Sequence, residues 1–308
     1  MAATMYMATY YACEEITRTF DMAWALDAGL WNLRSAAERY FRENPSADNK
    51  EARKALVEGS SIHGLNLHRI GCEFTWEYEE QFVSELLLIN GTAIFDTWVD
   101  TIVGSIFSSL PRKARERIAD GLKKGDPSSF NAELTQRPIS SLAGCFMIAS
   151  GKRQDAYIDN ILKVYRYFKR CRNCCAHGNR QFNDAAEKSY NEIKAFTKGD
   201  CGINEFPEIA VTASGTPLKL VLRGVVGFYD ILRRIMLHYD AVASDKMAIE
   251  EELIGRWNCV KPAELPLDIQ KRNSTVEYYI KRANMYPPAA GRINDIYNFL
   301  VARGAIVN

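Results

Sequence analysis

The amino-acid sequence repeats its apolar residues at intervals of three and four almost from end to end, and hardly anywhere at intervals of two. Between positions 99 and 110, Val99, Ile102, Val103, Ile106, Phe107 and Leu110 follow the period of one helix face. Ile158, Ile161, Leu162, Tyr165 and Phe168 repeat the pattern, as do Leu222, Val225, Val226, Tyr229, Leu232 and Met236. Strands buried on one face need strict alternation, because successive side chains point to opposite sides. The chain is therefore expected to be all-α, a four-helix core with helical additions at both ends.

Turn residues divide this pattern. Helices are predicted from Cys13 to about Arg42, where Asn44-Pro45-Ser46 gives a stop and restart, and from about Asp48 to Gly59. The longest helix is expected between Glu73 and Ser109, followed by a short basic surface helix in RKARERIADGLKKG. Residues 126–140 read as a loop or a short added element. A core helix follows from about Asp155 to His177, stopped by Gly178, and another in NDAAEKSYNEIKAFTKG. Residues 199–217 suggest a loop with a short strand pair around Ile209-Ala210-Val211-Thr212. Helical character resumes from Pro217, then weakens into a proline-containing extension after Asp245, with a last helix near Ile293 to Arg303. Residues 1–72 are thus expected to form an N-terminal extension, 73–245 the core, and 246–308 a C-terminal extension packed on it.

A net charge of +1 gives no global attraction to nucleic acid or membrane, so any site for a polyanion must come from local clustering. The opening residues lack a basic leader, and Glu85, Asp96 and Asp100 interrupt the most apolar window, which makes a bilayer span costly. Eight cysteines without a secretory leader point to a reduced, cytoplasmic protein with no membrane association.

Chemistry concentrates in RCRNCCAHGNR, residues 170–180. A structural zinc site needs four ligands in paired spacings, and no second pair accompanies these cysteines. On a helix Cys171 and His177 also project about 120° apart. A metal ligand set is not expected, nor any cofactor, and Cys174 and Cys175 read as packing residues.

Arg172 does not fit a packing role. With Ile158 at zero, the apolar stripe centres near 340° on the helical wheel and Arg172 falls at about 320°, so a charge sits on the core seam. It requires an acceptor or a polar cleft, and Asp96 and Asp100 are the acids preferred for it. Arg172 and His177 lie about 140° apart, which suggests a composite site. A guanidinium, the Asn173 amide and an imidazole suit phosphodiester chemistry, with the 2′-hydroxyl of RNA as nucleophile. Helix ends also favour cations for their dipole alone, so spacing leaves both a helix cap and a catalytic site open.

The run Arg172-Asn173-Cys174-Cys175-Ala176-His177 resembles the RxxxxH motif of the HEPN superfamily, and RNCCAHGNR is similar to the RNxxAH signature of Abi-like prokaryotic defence proteins. The resemblance covers about residues 73–243. It implies a HEPN-like antiparallel helical bundle, here with N- and C-terminal helical extensions, that pairs as a homodimer and brings two motifs into one cleft. It further implies a metal-independent endoribonuclease, a toxin or abortive-infection effector in antiviral defence, with an antitoxin or regulatory partner. Arg172 would polarise the phosphate, His177 would move a proton, and Asn173 would orient them. Arg166, Lys169, Arg170 and Arg180 are the basic residues expected to bind RNA, with Tyr165, Tyr167 and Phe168 as stacking surfaces. The alternative is a non-catalytic helical RNA- or nucleotide-binding module; a third reading is a zinc-stabilised helical protein. His63 and His68 are expected at the surface or in packing, and His238 as a helix-end cation.

Overall fold

The computed structural model describes residues 3–60, 62–148, 152–177, 179–210, 212–246, 248–262 and 264–306. The fold is all-α. Among the described residues the only β pairings are isolated bridges, such as Gln181 with Pro217, and no sheet forms. The suggested strand pair near 209–212 includes Val211, which lies outside the described residues, and its described neighbours form no strand.

Eleven α-helices are present among the described residues: α1 (Met7–Glu43), α2 (Asn49–Val57), α3 (Trp76–Ile106), α4 (Arg112–Lys123), α5 (Ser128–Thr135), α6 (Ile158–His177), α7 (Asp184–Ile193), α8 (Leu222–Ala243), α9 (Ala248–Val260), α10 (Ile269–Arg282) and α11 (Ile293–Ala302). The longest is α1, not α3, because its apolar pattern starts six residues before Cys13. Asp48 starts α2 through a reciprocal capping box with Glu51, and residues 128–135 form a true helix.

Helices α3, α6 and α8 pack on one another, with α1 across α3 and α8, α4 against α3, and α7 against α6. Their apolar stripes meet in one core, where Phe168 stacks on Phe228 at 4.7 Å and Phe95 lies 4.8 Å from Tyr165. Gly91 makes the crossing of α3 and α8 possible: a Cβ there would stand 2.9 Å from the Tyr229 ring, whose hydroxyl donates to Leu87 O at 2.7 Å. Among the described residues α3 alone is long and apolar enough to cross a bilayer, and half of its most apolar window is buried within the protein.

The region after Asp245 is more helical than its sequence pattern suggests. Its prolines separate elements: Pro262 and Pro266 stand between α9 and α10, Pro287 and Pro288 between α10 and α11, and Asp268 caps α10 by accepting from Lys271 N. Trp257, Ile280 and Leu300 join the same core as α3, α6 and α8. Met5 and Tyr6 from the N-terminal segment join it too, so the hydrophobic core runs unbroken across positions 72 and 245.

Candidate functional site

Helix α6 presents two faces. Ile161, Leu162, Tyr165, Phe168 and Cys171 are buried in the core, and Tyr167 is buried beside them. The expected stacking role of Tyr165, Tyr167 and Phe168 is thereby corrected, since rings at 0–2% exposure cannot receive a base. Burial also pushes the Cys171 thiol up, and the Cys175 thiol up to about 12 with Glu85 adding to the effect, so neither is poised as a nucleophile. Among the described residues no three His, Cys, Asp or Glu side chains converge as metal ligands would.

The other face is basic. Arg166, Lys169, Arg170 and Asn173 line one wall of a hollow of about 370 Å³, and Lys123, Lys124 and Asp120 from the end of α4 form the opposite wall. Two contacts fix this spacing: Tyr165 Oη donates to Lys123 O at 2.6 Å, and Arg166 Nη1 donates to Gly125 O at 2.9 Å. Gly125 turns the chain there at φ +75°, where a Cβ would stand 2.8 Å from Arg166 Cγ. Residues 112–124, expected as a surface helix, bury one face. The missed signal was their amphipathic pattern, in which Ile118, Ala119 and Leu122 dock α4 and thereby aim Lys123 and Lys124.

The preferred acids do not meet Arg172. Asp96 binds Lys169 Nζ at 2.8 Å and Asp100 binds Lys123 Nζ at 2.6 Å, while Glu85 takes Arg180 Nε at 2.9 Å. The reason is register. Pairings 96 with 169 and 85 with 180 run in opposite directions along the two segments, which sets Arg172 about level with Ala93, where α3 carries no acid. Burial lowers the Lys169 pKa and Asp96 offsets part of that effect.

Arg172 is half-buried, its Nε has no partner among the described residues, and its Nη1 donates to Asn173 Oδ1 at 3.2 Å. Asn173 therefore connects the seam carrying Arg172 to the basic hollow. His177 stands exposed at the last residue of α6, and among the described residues nothing holds its imidazole. The expected stop at Gly178 lies outside the described residues. Beyond it Asn179 and Arg180 adopt positive φ of 50° and 61°, and Arg180 N donates to Cys174 O at 3.1 Å. Arg180 lies over Phe82 at 5.9 Å on the α3 side, away from the hollow lined by Arg166, Lys169 and Arg170.

His238 corrects another expectation. It is buried within α8, its Nδ1 accepts from Gln154 N at 3.1 Å, and burial lowers its pKa to about 4, so it is a neutral structural group rather than a helix-end cation. His68 pairs with Glu73 at 3.1 Å on the surface, and His63 is exposed.

No protein-family model matches the chain, and neither a curated protein nor a solved structure matches it.

Proposed function

We propose that this protein is a metal-independent endoribonuclease of HEPN type, acting as a homodimer in the cytoplasm. The observation that carries the reading is Arg172: a half-buried guanidinium on an apolar seam, without an acid partner, hydrogen-bonded to an amide that opens onto a basic hollow. A charge retained in such a position costs stability and suits a site whose anion arrives from outside. The role in toxin or antiviral defence, with an antitoxin or regulatory partner, rests on the resemblance of RNCCAHGNR alone.

In the reaction, the 2′-hydroxyl oxygen attacks the adjoining phosphorus. The O2′–P bond forms and the P–O5′ bond breaks, leaving a 2′,3′-cyclic phosphate and a 5′-hydroxyl. One imidazole takes the 2′-hydroxyl proton and a second delivers a proton to O5′, which the two His177 side chains of a dimer supply. Arg172 neutralises charge gathering on the phosphoryl oxygens, and Asn173 positions Arg172.

A second copy is needed because Arg172 and His177 of one helix diverge by about 140°. Its contact face is suggested by Tyr78, Phe82, Leu86 and Ile89, which are exposed at helical spacing along α3 beside Arg180. Eight unpaired cysteines suit a reducing compartment.

Incubating the purified protein with RNA in the presence of a chelator tests the reading. Cleavage is expected, with a loss of about 100-fold or more on His177→Ala. Diverse RNAs left intact, or equal cutting by the His177→Ala variant, would sink it. A non-catalytic RNA- or nucleotide-binding module is the second reading, favoured by the hollow's cations, which lie outside the motif pair and can hold phosphate alone. It expects RNA to be bound and no product to form.

A further inference from the structure

We infer that the hollow between α4 and α6 is the path of single-stranded RNA, holding its phosphodiester backbone and delivering it to His177. This rests on the proposed RNA reading and adds a substrate path with a second wall, from α4, that the motif does not contain.

On an ideal helix Arg166, Arg170, Asn173 and His177 fall within an arc of about 60°. The first three line the hollow, and His177 is the next member of the same row, at the exposed end of the helix. A strand lying along α6 therefore meets cations first and the imidazole last. From Arg166 to His177 the helix rises about 16 Å, the reach of roughly three to five nucleotides depending on how far the strand is stretched.

The cations of the hollow differ in how far neighbouring acids neutralise them. Lys123 and Lys169 are neutralised by Asp100 and Asp96. Arg166 spends one N–H on a carbonyl and keeps its charge. Lys124 and Arg170 have no carboxylate within ion-pair distance among the described residues. Asp126 lies close enough to Arg166 for the guanidinium to help lower its pKa, so Lys124 and Arg170 are the two cations left uncompensated, and against Asp120 they keep the hollow locally positive in a chain whose formal charge is only +1. Lys124 stands across the hollow from Arg170, so a polyanion entering it meets positive charge from both walls.

The same geometry argues for backbone rather than base recognition. Tyr165, Tyr167 and Phe168 are buried, so none of them offers a stacking platform, and the walls supply ammonium and guanidinium donors suited to phosphate oxygens. A hollow of about 370 Å³ is too small to enclose a duplex, which can offer it only the edge of one strand. Binding along this path should be tolerant of sequence and strongly dependent on salt.

The test uses the whole 308-residue chain with His177→Ala, so that binding is measured without turnover. Affinity for a single-stranded oligoribonucleotide is followed over a range of salt concentrations, with a duplex of the same length as comparison. For single strands each phosphate contact contributes about 0.7 to the slope of log K against log salt. Adding Lys124→Ala and Arg170→Ala together should flatten the slope by about 1.4, while Lys54→Ala on α2 should leave it unchanged. An unchanged slope in the double variant overturns the path, as does equal loss with Lys54→Ala or tighter binding of the duplex. Cleavage by the otherwise native chain separates the two ideas. RNA cut normally with an unaltered salt slope removes the path and keeps the nuclease, whereas a flattened slope without any cleavage keeps the path and removes the nuclease.

Discussion

Two polar clusters in this protein differ in how completely their hydrogen bonds are used. At the junction of the N-terminal segment, α8 and the turn after α10, Asp240 is fully buried and accepts from Met5 N, Tyr6 N and Tyr286 Oη at 2.8–2.9 Å. Arg256, buried nearby, donates to the carbonyls of Thr4, Ala283 and Asn284. Its Nε makes no hydrogen bond but faces the Glu252 carboxylate at 3.9 Å. At the end of α6, by contrast, Arg172 holds one neighbouring amide, and among the described residues His177 holds nothing and Lys124 and Arg170 have no acid. Nearly saturated polar groups staple a fold; polar groups with capacity to spare await something from solvent. The N-terminal cluster is accordingly structural and the α6 end is the place to look for a ligand.

Breaking the saturated cluster should have the largest effect. Asp240→Ala leaves several buried donors without an acceptor and is expected to cost about 3–5 kcal/mol in urea denaturation. A loss under about 1 kcal/mol would remove the distinction between the clusters.

The second effect is on pH dependence and again concerns a committed group. The folded pKa of His238, about 4, lies below its unfolded value of about 6.5, so between these values the unfolded chain binds more protons. Stability from this group is full above the unfolded pKa and is lost as pH falls through the window, by up to about 3 kcal/mol. Asp240, whose pKa burial raises, acts with the opposite sign: it costs stability as pH rises through the range between its unfolded and folded values. Comparing unfolding curves of the native chain and His238→Asn isolates the histidine, and the acid-side slope should shrink in the variant.

Arg172→Met sharpens the contrast from the other side. Because the guanidinium lacks an acid and leaves Nε unpaired, an apolar replacement should change stability by less than about 1 kcal/mol while RNA cleavage falls by about 100-fold or more. Destabilisation comparable to that of Asp240→Ala would show that Arg172 is a structural group after all. The smallest effect is expected at the rim of the hollow, where Lys124→Ala and Arg170→Ala should each alter thermal stability by no more than about 0.5 kcal/mol.

The parts of the fold that were legible in the sequence are those with strong local period. The stripes of α3, α6 and α8 were readable because each helix buries one broad apolar face in the common core. Of the C-terminal helices only α11 was readable, near Ile293 to Arg303; α10 was not, because it carries Asn273, Ser274 and Thr275 in its middle and the prolines around it resemble a loop. Packing against the core, through Val276 and Ile280, supplies what its propensity lacks. The site divides in the same way. Arg172 stood out because a charge broke an apolar stripe, whereas the amphipathic pattern of 112–124 says that α4 docks but not that it ends beside α6, so Lys123 and Lys124 were not legible as site residues.

The chain's own residue pattern determined that this protein is all-α, that α6 carries a basic row ending in His177, and that Arg172 lies on an apolar seam. Each follows from a repeat of 3.6 residues acting over a few turns. Tertiary structure alone decided that Asp96 and Asp100 go to Lys169 and Lys123 instead of Arg172, that the rings of α6 are sealed inside, and that a second helix completes the basic hollow. Those outcomes depend on the relative register of helices distant in sequence, which packing of the shared core sets and no local period encodes.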